Sequence, residues 1–229
     1  MATFDQWQTA QAVISGNTEH NVLLYGPAGT GKSFAAQAGH HNVRNITITP
    51  ETPMAELRGH YHPKGGEFIW QDGPVVRAMR EGGRVVLNEV DHAGGDVISF
   101  LLAAMDNKES CRICLPSGET VRPSAGFHVI GTMNGQPDDL LPALKDRFTA
   151  AIPIDTPHPD ALNSLPSDLR EAAKSTVMAE KAEDRIGLRA WLAFAGLRGR
   201  CGNEMAAQAV FGNNWQAVVD SLAVATVSS

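Results

Sequence analysis

Short apolar runs alternate with amphipathic stretches along most of this chain. The apolar or β-branched runs predict five strands, at residues 22–25, 45–49, 84–88, 127–132 and 150–154. Patterns typical of helices lie before and between them, at residues 5–15, 32–38, 52–58, 74–80, 97–105 and 142–146. Strands that alternate with helices indicate a mostly parallel sheet with helices on both faces.

Two segments within the first 155 residues depart from this alternation. Residues 59–73 predict a hairpin with its turn at Lys64, Gly65 and Gly66, and residues 112–122 predict a second hairpin. After Asp155 the pattern changes. Residues 156–159 indicate a linker, and helical patterns follow at 167–185, 188–197, 204–210 and 214–224. We therefore predict an α/β domain over residues 1–155 and a small helical domain over residues 156–229.

Composition narrows the class of protein. The net charge of −6 argues against a dedicated nucleic-acid binder, because such proteins carry a basic surplus. The first residues lack a signal-peptide pattern, and no apolar run approaches the roughly 20 residues that span a bilayer. Cys111, Cys114 and Cys201 lack a second ligand pair for zinc, so we expect structural thiols. We expect a cytoplasmic protein without a membrane segment.

The most informative motif lies between the first strand and the helix that follows it. Residues 21–38 read NVLLYGPAGTGKSFAAQA, the strand–GxxxxGK[ST]–helix order of a phosphate-binding loop. Glycines let the backbone curl so that its N–H groups point at a polyphosphate. Lys32 would reach the β- and γ-phosphates, and the Ser33 hydroxyl would bind Mg²⁺. The residues predicted to bind nucleotide are Gly26, Pro27, Ala28, Gly29, Thr30, Gly31, Lys32 and Ser33.

A second strand end carries the acidic group that such a site needs. The apolar run at residues 85–87 leads into Asn88, Glu89 and Asp91. Glu89 is the candidate for orienting and polarising the water that attacks the γ-phosphate. The alternative for Glu89 is a solvated charge at a strand end.

Four segments in order give the chain a family resemblance. The phosphate-binding loop, VVLNEVD, FHVIGTMN and LPALKDRF together resemble an AAA+ ATPase of the MoxR-like or dynein-related group. The segment GEFIWQDGPVVRAMREGG resembles that group's helix-2 insertion, whose hairpin would occupy residues 59–73. The resemblance implies an α/β P-loop NTPase fold, a three-layer sandwich around a mostly parallel five-stranded sheet. A small C-terminal helical lid would follow.

The resemblance also implies roles at matching positions. Asn134 matches sensor 1, which contacts the γ-phosphate or the attacking water, and a strand-end cap is the alternative. Arg147 matches the arginine finger that reaches the nucleotide of an adjacent subunit, and a surface ion pair is the alternative. Arg189 is the candidate for sensor 2 on the lid, with Arg185 as a competing choice and a solvated helix face as the alternative.

One position departs from the family pattern. The family has an aspartate immediately before the catalytic glutamate, and this chain has Asn88. An amide carbonyl accepts a hydrogen bond from metal-bound water but supplies no negative charge. We therefore expect Asn88 and Ser33 at the metal, with weaker Mg²⁺ dependence or slower turnover than in the family.

The resemblance implies a Mg²⁺-dependent ATPase that binds ATP. It also implies a homo-oligomeric ring, a hexamer in the family, that remodels or matures a protein partner. Two alternatives stay open. Asn88 favours a nucleotide-dependent assembly or switch module with little turnover. A DNA-directed motor or loader is the second alternative, and the acidic net charge counts against it.

Overall fold

The structure, a computed structural model, describes residues 5–15, 20–179 and 181–227. The contacts within the chain form two compact units. The first comprises Ser33–Pro153 together with the described residues up to Gly26. The second comprises Pro27–Lys32 together with the described residues from Ile154 onward. We keep the division at residue 155 as a proposal, because a loop from the first half of the chain groups with the C-terminal unit.

Strands and helices alternate through the first unit. In chain order the strands are β1 (Val22–Tyr25), β2 (Val43–Thr47), β3 (Gly59–Lys64), β4 (Glu67–Asp72), β5 (Arg84–Asn88), β6 (Ile113–Cys114), β7 (Thr120–Val121), β8 (His128–Met133) and β9 (Ala150–Pro153). The helices that begin before residue 150 are α1 (Gln6–Ser15), α2 (Lys32–Gln37), α3 (Met54–Arg58), α4 (Pro74–Glu81), α5 (Gly95–Ala104) and α6 (Pro142–Lys145).

Five strands form the central sheet in the order β2-β5-β8-β1-β9, and every pairing between neighbours is parallel. The predicted five-stranded α/β sheet is therefore confirmed. The register pairs Tyr25 with Met133 and Asn88 with Thr132. The carboxyl ends of β1, β5 and β8 thus lie side by side at one edge of the sheet.

The hydrophobic core of this unit is made of residues from the sheet and from two of the helices. Strand β5 is buried along its whole length, as its uninterrupted apolar run predicts for a central parallel strand. Helices α4 and α5 each bury one face, with apolar residues three and four positions apart. These helical core residues are Val75, Val76, Ala78, Met79, Val97, Phe100, Leu101 and Ala104.

Two antiparallel hairpins project from the sheet unit, as predicted. The first joins β3 to β4 through Gly65 and Gly66, at φ of 63° and 88°. Two adjacent residues at positive φ make the two-residue turn that matches strand twist, and glycine adopts this conformation without strain. The second hairpin pairs β6 with β7 over two residues each.

The cysteines are free thiols, as expected. The Cys111 Sγ atom donates to the Ala104 carbonyl at 3.1 Å, and burial raises the pKa of this thiol to about 11. No group of three or more His, Cys, Asp or Glu side chains in the described ranges is arranged to hold a metal ion.

The second unit is helical after Ile154, with α7 (Pro159–Asn163), α8 (Ser167–Val177), α9 (Leu188–Cys201), α10 (Asn203–Phe211) and α11 (Trp215–Val227). Its core contains an aromatic cluster in which Trp191 contacts Phe194 and Phe211, with ring centroids 6.1 and 5.1 Å away.

Several sequence-based boundaries were wrong, and the causes of some can be named. Strand β2 begins at Val43, two residues earlier than predicted. The predicted linker runs into a helix, because His158 caps α7 by accepting a hydrogen bond from the Asp160 N–H. The helix predicted over 167–185 ends at Val177, where its buried i, i+4 spacing stops. Beyond that point the Ile186 N–H donates back to the Thr176 carbonyl, which turns the chain.

Candidate nucleotide-binding site

The glycine-rich loop between β1 and α2 has a backbone that only glycine accommodates. Gly29 and Gly31 have φ of 78° and 105°. A Cβ atom on Gly29 would lie 2.5 Å from the Gly187 Cα, and one on Gly31 would lie 2.8 Å from the His158 Cβ. Both distances are too short for a side chain, so the two glycines are required by conformation and by packing.

Backbone hydrogen bonds hold this loop within its own unit. The Gly29 carbonyl accepts from the Leu188 N–H at 3.0 Å, and the Thr30 carbonyl accepts from the His158 N–H at 2.8 Å. Burial is the main cause that lowers the pKa of His158 below its ordinary value, so the neutral imidazole is favoured beside the loop.

Lys32 closes the loop from its C-terminal end. Its side chain is buried, and Nζ donates to the Pro27 carbonyl at 2.6 Å. The Thr30 hydroxyl donates to the same carbonyl at 3.3 Å. A buried ammonium group folded over a glycine loop fits a polyphosphate, which would supply a far stronger acceptor than one neutral carbonyl.

Glu89 follows β5 in an unusual backbone conformation. It is the one non-glycine residue of the described ranges with positive φ, at φ 56° and ψ 46°. A left-handed conformation costs an L-residue about 1–2 kcal/mol, and such strain concentrates at functional positions. Its side chain is 44% exposed, and Oε2 lies 3.6 Å from the Nδ1 atom of His92. The carboxylate is therefore accessible and only loosely paired.

Asn88 is held tightly inside the sheet. Its Nδ2 atom donates to the Asn45 Oδ1 at 2.6 Å and to the Ile46 carbonyl at 3.2 Å. Its Oδ1 atom accepts from the Thr132 hydroxyl at 3.3 Å. Only part of the Oδ1 capacity remains for a metal-bound water, so the fit of Asn88 to a Mg²⁺ shell is limited. Its metal role stays a prediction, as does that of Ser33.

Asn134 lies beside Glu89 by topology. It directly follows β8, whose Thr132 pairs with Asn88 of β5. Asn134 is exposed at this carboxyl edge. Two of the predicted catalytic residues therefore follow neighbouring strand ends, which is what a sensor and a water-activating carboxylate require.

Arg147 lies at the opposite end of the parallel strands. It comes three residues before the first residue of β9. Its Nε donates to the Leu102 carbonyl at 3.3 Å, and its guanidinium nitrogens lie 3.8 Å from Asp106 and 3.5 Å from Asp146. It lines a cavity of about 770 Å³. The ion pairs are long and partly exposed, so they hold the guanidinium weakly.

The two sensor 2 candidates differ in what surrounds them. Arg189 is exposed and follows Leu188, whose N–H donates to the Gly29 carbonyl of the phosphate-binding loop. The Nε atom of Arg185 donates to the Ala179 carbonyl at 2.7 Å, away from that loop contact. Arg189 is the nearer of the two in sequence to this loop contact, and the assignment of sensor 2 stays a prediction.

A sequence profile of the AAA domain (dynein-related subfamily) matches residues 21–148. The chain belongs to this family. The match begins before the phosphate-binding loop and ends just after Arg147, so it includes Asn88, Glu89 and Asn134. The resemblance to dynein-related AAA+ proteins is confirmed.

Several proteins are similar to this AAA chain. Protein NorQ of Paracoccus denitrificans is 34% identical over 60% of this chain and 53% of its own length. Denitrification regulatory protein NirQ of Stutzerimonas stutzeri is 31% identical over 56% of this chain and 50% of its own length. The matched region thus spans about half the length of these relatives.

A crystal structure of a candidate ATPase from Cytophaga hutchinsonii superposes with a TM-score of 0.52 at 23% identity, covering 68% of this chain and 47% of that one. This likeness shows the fold. In the described part of this AAA chain, no helix is long and apolar enough to cross a membrane.

Sequence reasoning missed three partners of these residues: His92 beside Glu89, Asn45 beneath Asn88, and His158 against Gly31. Asn45 itself is exposed on β2, so nothing in the sequence required a polar partner for it. The other two contacts depend on local backbone turns that no periodicity encodes.

Proposed function

We propose that this AAA chain is a Mg²⁺-dependent ATPase. Lys32 and the amides of residues 26–31 bind the phosphates of ATP, and Ser33 contributes to the metal site. When bound, Mg²⁺ neutralises charge on the β- and γ-phosphates. Glu89 accepts a proton from water as it attacks the γ-phosphate in line, and Asn134 orients that water or the phosphate. Arg189 acts as sensor 2 from the lid.

The observation that carries this proposal is the opposite placement of Glu89 and Arg147. Glu89 follows the carboxyl end of β5, whereas Arg147 precedes the amino end of β9. Even a four-residue strand is about 13 Å long, so the two side chains face different ends of one sheet. Arg147 is therefore suited to the nucleotide of a second copy, and we propose a homo-oligomeric ring, a hexamer by family resemblance.

The work done by the ring is proposed to be remodelling or maturation of a protein partner in the cytoplasm. Support comes from the family and from NirQ, whose name describes a regulatory protein. The net charge of −6 supports a protein client over a nucleic acid.

ATP hydrolysis by the purified protein tests the proposal, measured across a Mg²⁺ titration at several protein concentrations. Lys32→Ala removes the phosphate-binding ammonium, and Glu89→Gln removes the water-activating carboxylate. A rate per subunit that rises with concentration and vanishes in both variants is the expected result. A rate independent of concentration, or one that survives Glu89→Gln, would contradict the shared site.

A second candidate function is a nucleotide-controlled switch with little turnover. Asn88 favours it, because an amide supplies no negative charge to a metal shell and this one is already bonded to Asn45, Ile46 and Thr132. Tight ATP binding that Lys32→Ala abolishes, without turnover in the wild type, would select the switch.

A further inference from the structure

A buried arginine joins the central sheet to the ends of two helices. Arg84 opens β5 and is 1% exposed. Its NH1 atom donates to the Ala36 and Ala38 carbonyls at 3.1 and 2.9 Å, and its NH2 atom donates to the Ile14 carbonyl at 2.8 Å. Among the described residues, no carboxylate lies within ion-pair distance of this guanidinium. Its positive charge is stabilised by the dipoles of carbonyl groups instead.

These carbonyls belong to helix ends. Ile14 lies in the last turn of α1, and Ala36 and Ala38 lie at the end of α2. The last carbonyls of a helix have no partner within it and carry the negative end of the helix dipole. A cation that binds them satisfies groups that burial would otherwise leave unpaired, so the arrangement fixes α1 and α2 to β5.

A histidine completes the coordination of Arg84. The Arg84 Nε donates to the His128 Nε2 at 2.9 Å, and the His128 Nδ1 lies 2.8 Å from the Gly126 carbonyl. These contacts assign the neutral tautomer with hydrogen on Nδ1, because Nε2 must accept. The His40 ring lies edge-on at 5.6 Å, and His41 stacks on His40 at 5.1 Å.

We propose that Arg84, held by His128, is a positioning residue for the nucleotide site. It acts through α2, which begins with Lys32 and Ser33 and ends at the carbonyls that Arg84 binds. Helix α2 has six residues, about 9 Å, and the Gln37 side chain donates back to the Ser33 carbonyl at 2.8 Å. A shift at one end of so short a helix is therefore transmitted to the other. The inference rests on the proposed nucleotide binding.

Two substitutions at His128 separate the two hydrogen bonds. Asparagine places its amide near the Nδ1 position and keeps the donor to Gly126, but it removes the acceptor for Arg84. Glutamine places its carbonyl oxygen near the Nε2 position and keeps that acceptor. Titration with a fluorescent ATP analogue and Mg²⁺ should show His128→Asn binding about tenfold more weakly than wild type, with His128→Gln within about twofold.

Val129→Ala is the matched control for stability. Val129 is the next residue of β8, is fully buried, and points to the other face of the strand. Its truncation should lower Tm comparably and leave nucleotide affinity unchanged.

Three outcomes would overturn the inference. Wild-type affinity in His128→Asn would show that α2 does not depend on this contact. An equal loss of affinity in Val129→Ala at equal Tm would make the role only structural. Wild-type protein that binds the analogue no better than Lys32→Ala would remove the proposed function itself, and the inference with it.

Discussion

A charged residue lies at each end of strand β5, and the two differ in exposure and in hydrogen bonding. Arg84 at the start is 1% exposed and makes four hydrogen bonds to fixed acceptors. Glu89, just after the end, has a side chain that is 44% exposed, and its Oε2 atom lies 3.6 Å from the His92 Nδ1 atom. Between them lie three apolar residues with no exposure. One strand thus carries a charge used for structure and a charge left accessible for chemistry.

The difference follows from the cost of burying an ion. A buried guanidinium must find acceptors for its N–H groups, and the ends of α1 and α2 supply them at the amino edge. At the carboxyl edge, Glu89 adopts a left-handed backbone and keeps an accessible carboxylate. Strain kept at an accessible carboxylate is expected where function selects the position.

Removing the carboxylate at the accessible end should give the largest effect. Glu89→Gln keeps the size and the hydrogen-bonding capacity of the side chain but cannot accept the proton from water. We expect hydrolysis to fall by about 10²–10⁴-fold, with nucleotide affinity and Tm close to wild type. A steady-state phosphate-release assay measures the rate. If Tm falls along with activity, the contrast between the two ends of β5 is wrong.

Removing the charge at the buried end should instead destabilise the fold. Arg84→Ala leaves the carbonyls of Ile14, Ala36 and Ala38 without their donor. Because each buried acceptor left without a donor costs about 1–3 kcal/mol, we expect a loss of about 3–5 kcal/mol in the free energy of unfolding, measured by urea titration. Arg112→Ala, which alters an exposed arginine, is the control and should change it by less than about 0.5 kcal/mol. Equal losses in both variants would contradict the structural role of Arg84.

A substitution at Asn88 tests whether the carboxyl end of β5 tolerates a second carboxylate beside Glu89. In Asn88→Asp, a carboxylate oxygen replaces the amide that donates to Asn45 and Ile46. We expect the free energy of unfolding to drop by about 1–3 kcal/mol, while hydrolysis becomes more strongly dependent on Mg²⁺. Asn88→Ala should lose similar stability without the gain in Mg²⁺ dependence. The same Mg²⁺ response in both variants would exclude this position from the metal shell.

Acid should lower the free energy of unfolding through the histidines near the amino end of β5. Burial is the largest cause that lowers the pKa of His128 and of His40, and Arg84 lowers both further. Below the ordinary value of 6.5 the unfolded chain therefore binds more protons than the native one, so stability is full above that pH and falls as pH decreases through it. Urea midpoints measured on either side of it should show this loss. His128→Gln should reduce the loss, and Val129→Ala should keep it.

The sequence predicted the elements of the fold better than the contacts between them. Strand β5 was predicted at its observed bounds, because an apolar run between polar ends is a local signal. Glu89 was proposed because a strand end follows from such a run, whereas Asn134 was proposed from the family resemblance alone, and both catalytic roles stay predictions. The Arg84 contacts were not predicted, because Ile14, Ala36 and His128 lie 70, 48 and 44 residues away. The left-handed backbone of Glu89 was also missed, since no pattern of residue types encodes it.

The smallest expected effect comes from comparing two variants that separate the backbone strain at Glu89 from the charge of its side chain. Asparagine tolerates the left-handed region better than glutamine does, and both side chains are neutral amides. We therefore expect Glu89→Asn to be more stable than Glu89→Gln by about 0.5 kcal/mol in urea unfolding, with hydrolysis lost in both. An equal or lower stability for the asparagine variant would mean that φ of 56° costs this residue little. The accessible end of β5 would then differ from the buried end in its charge environment alone.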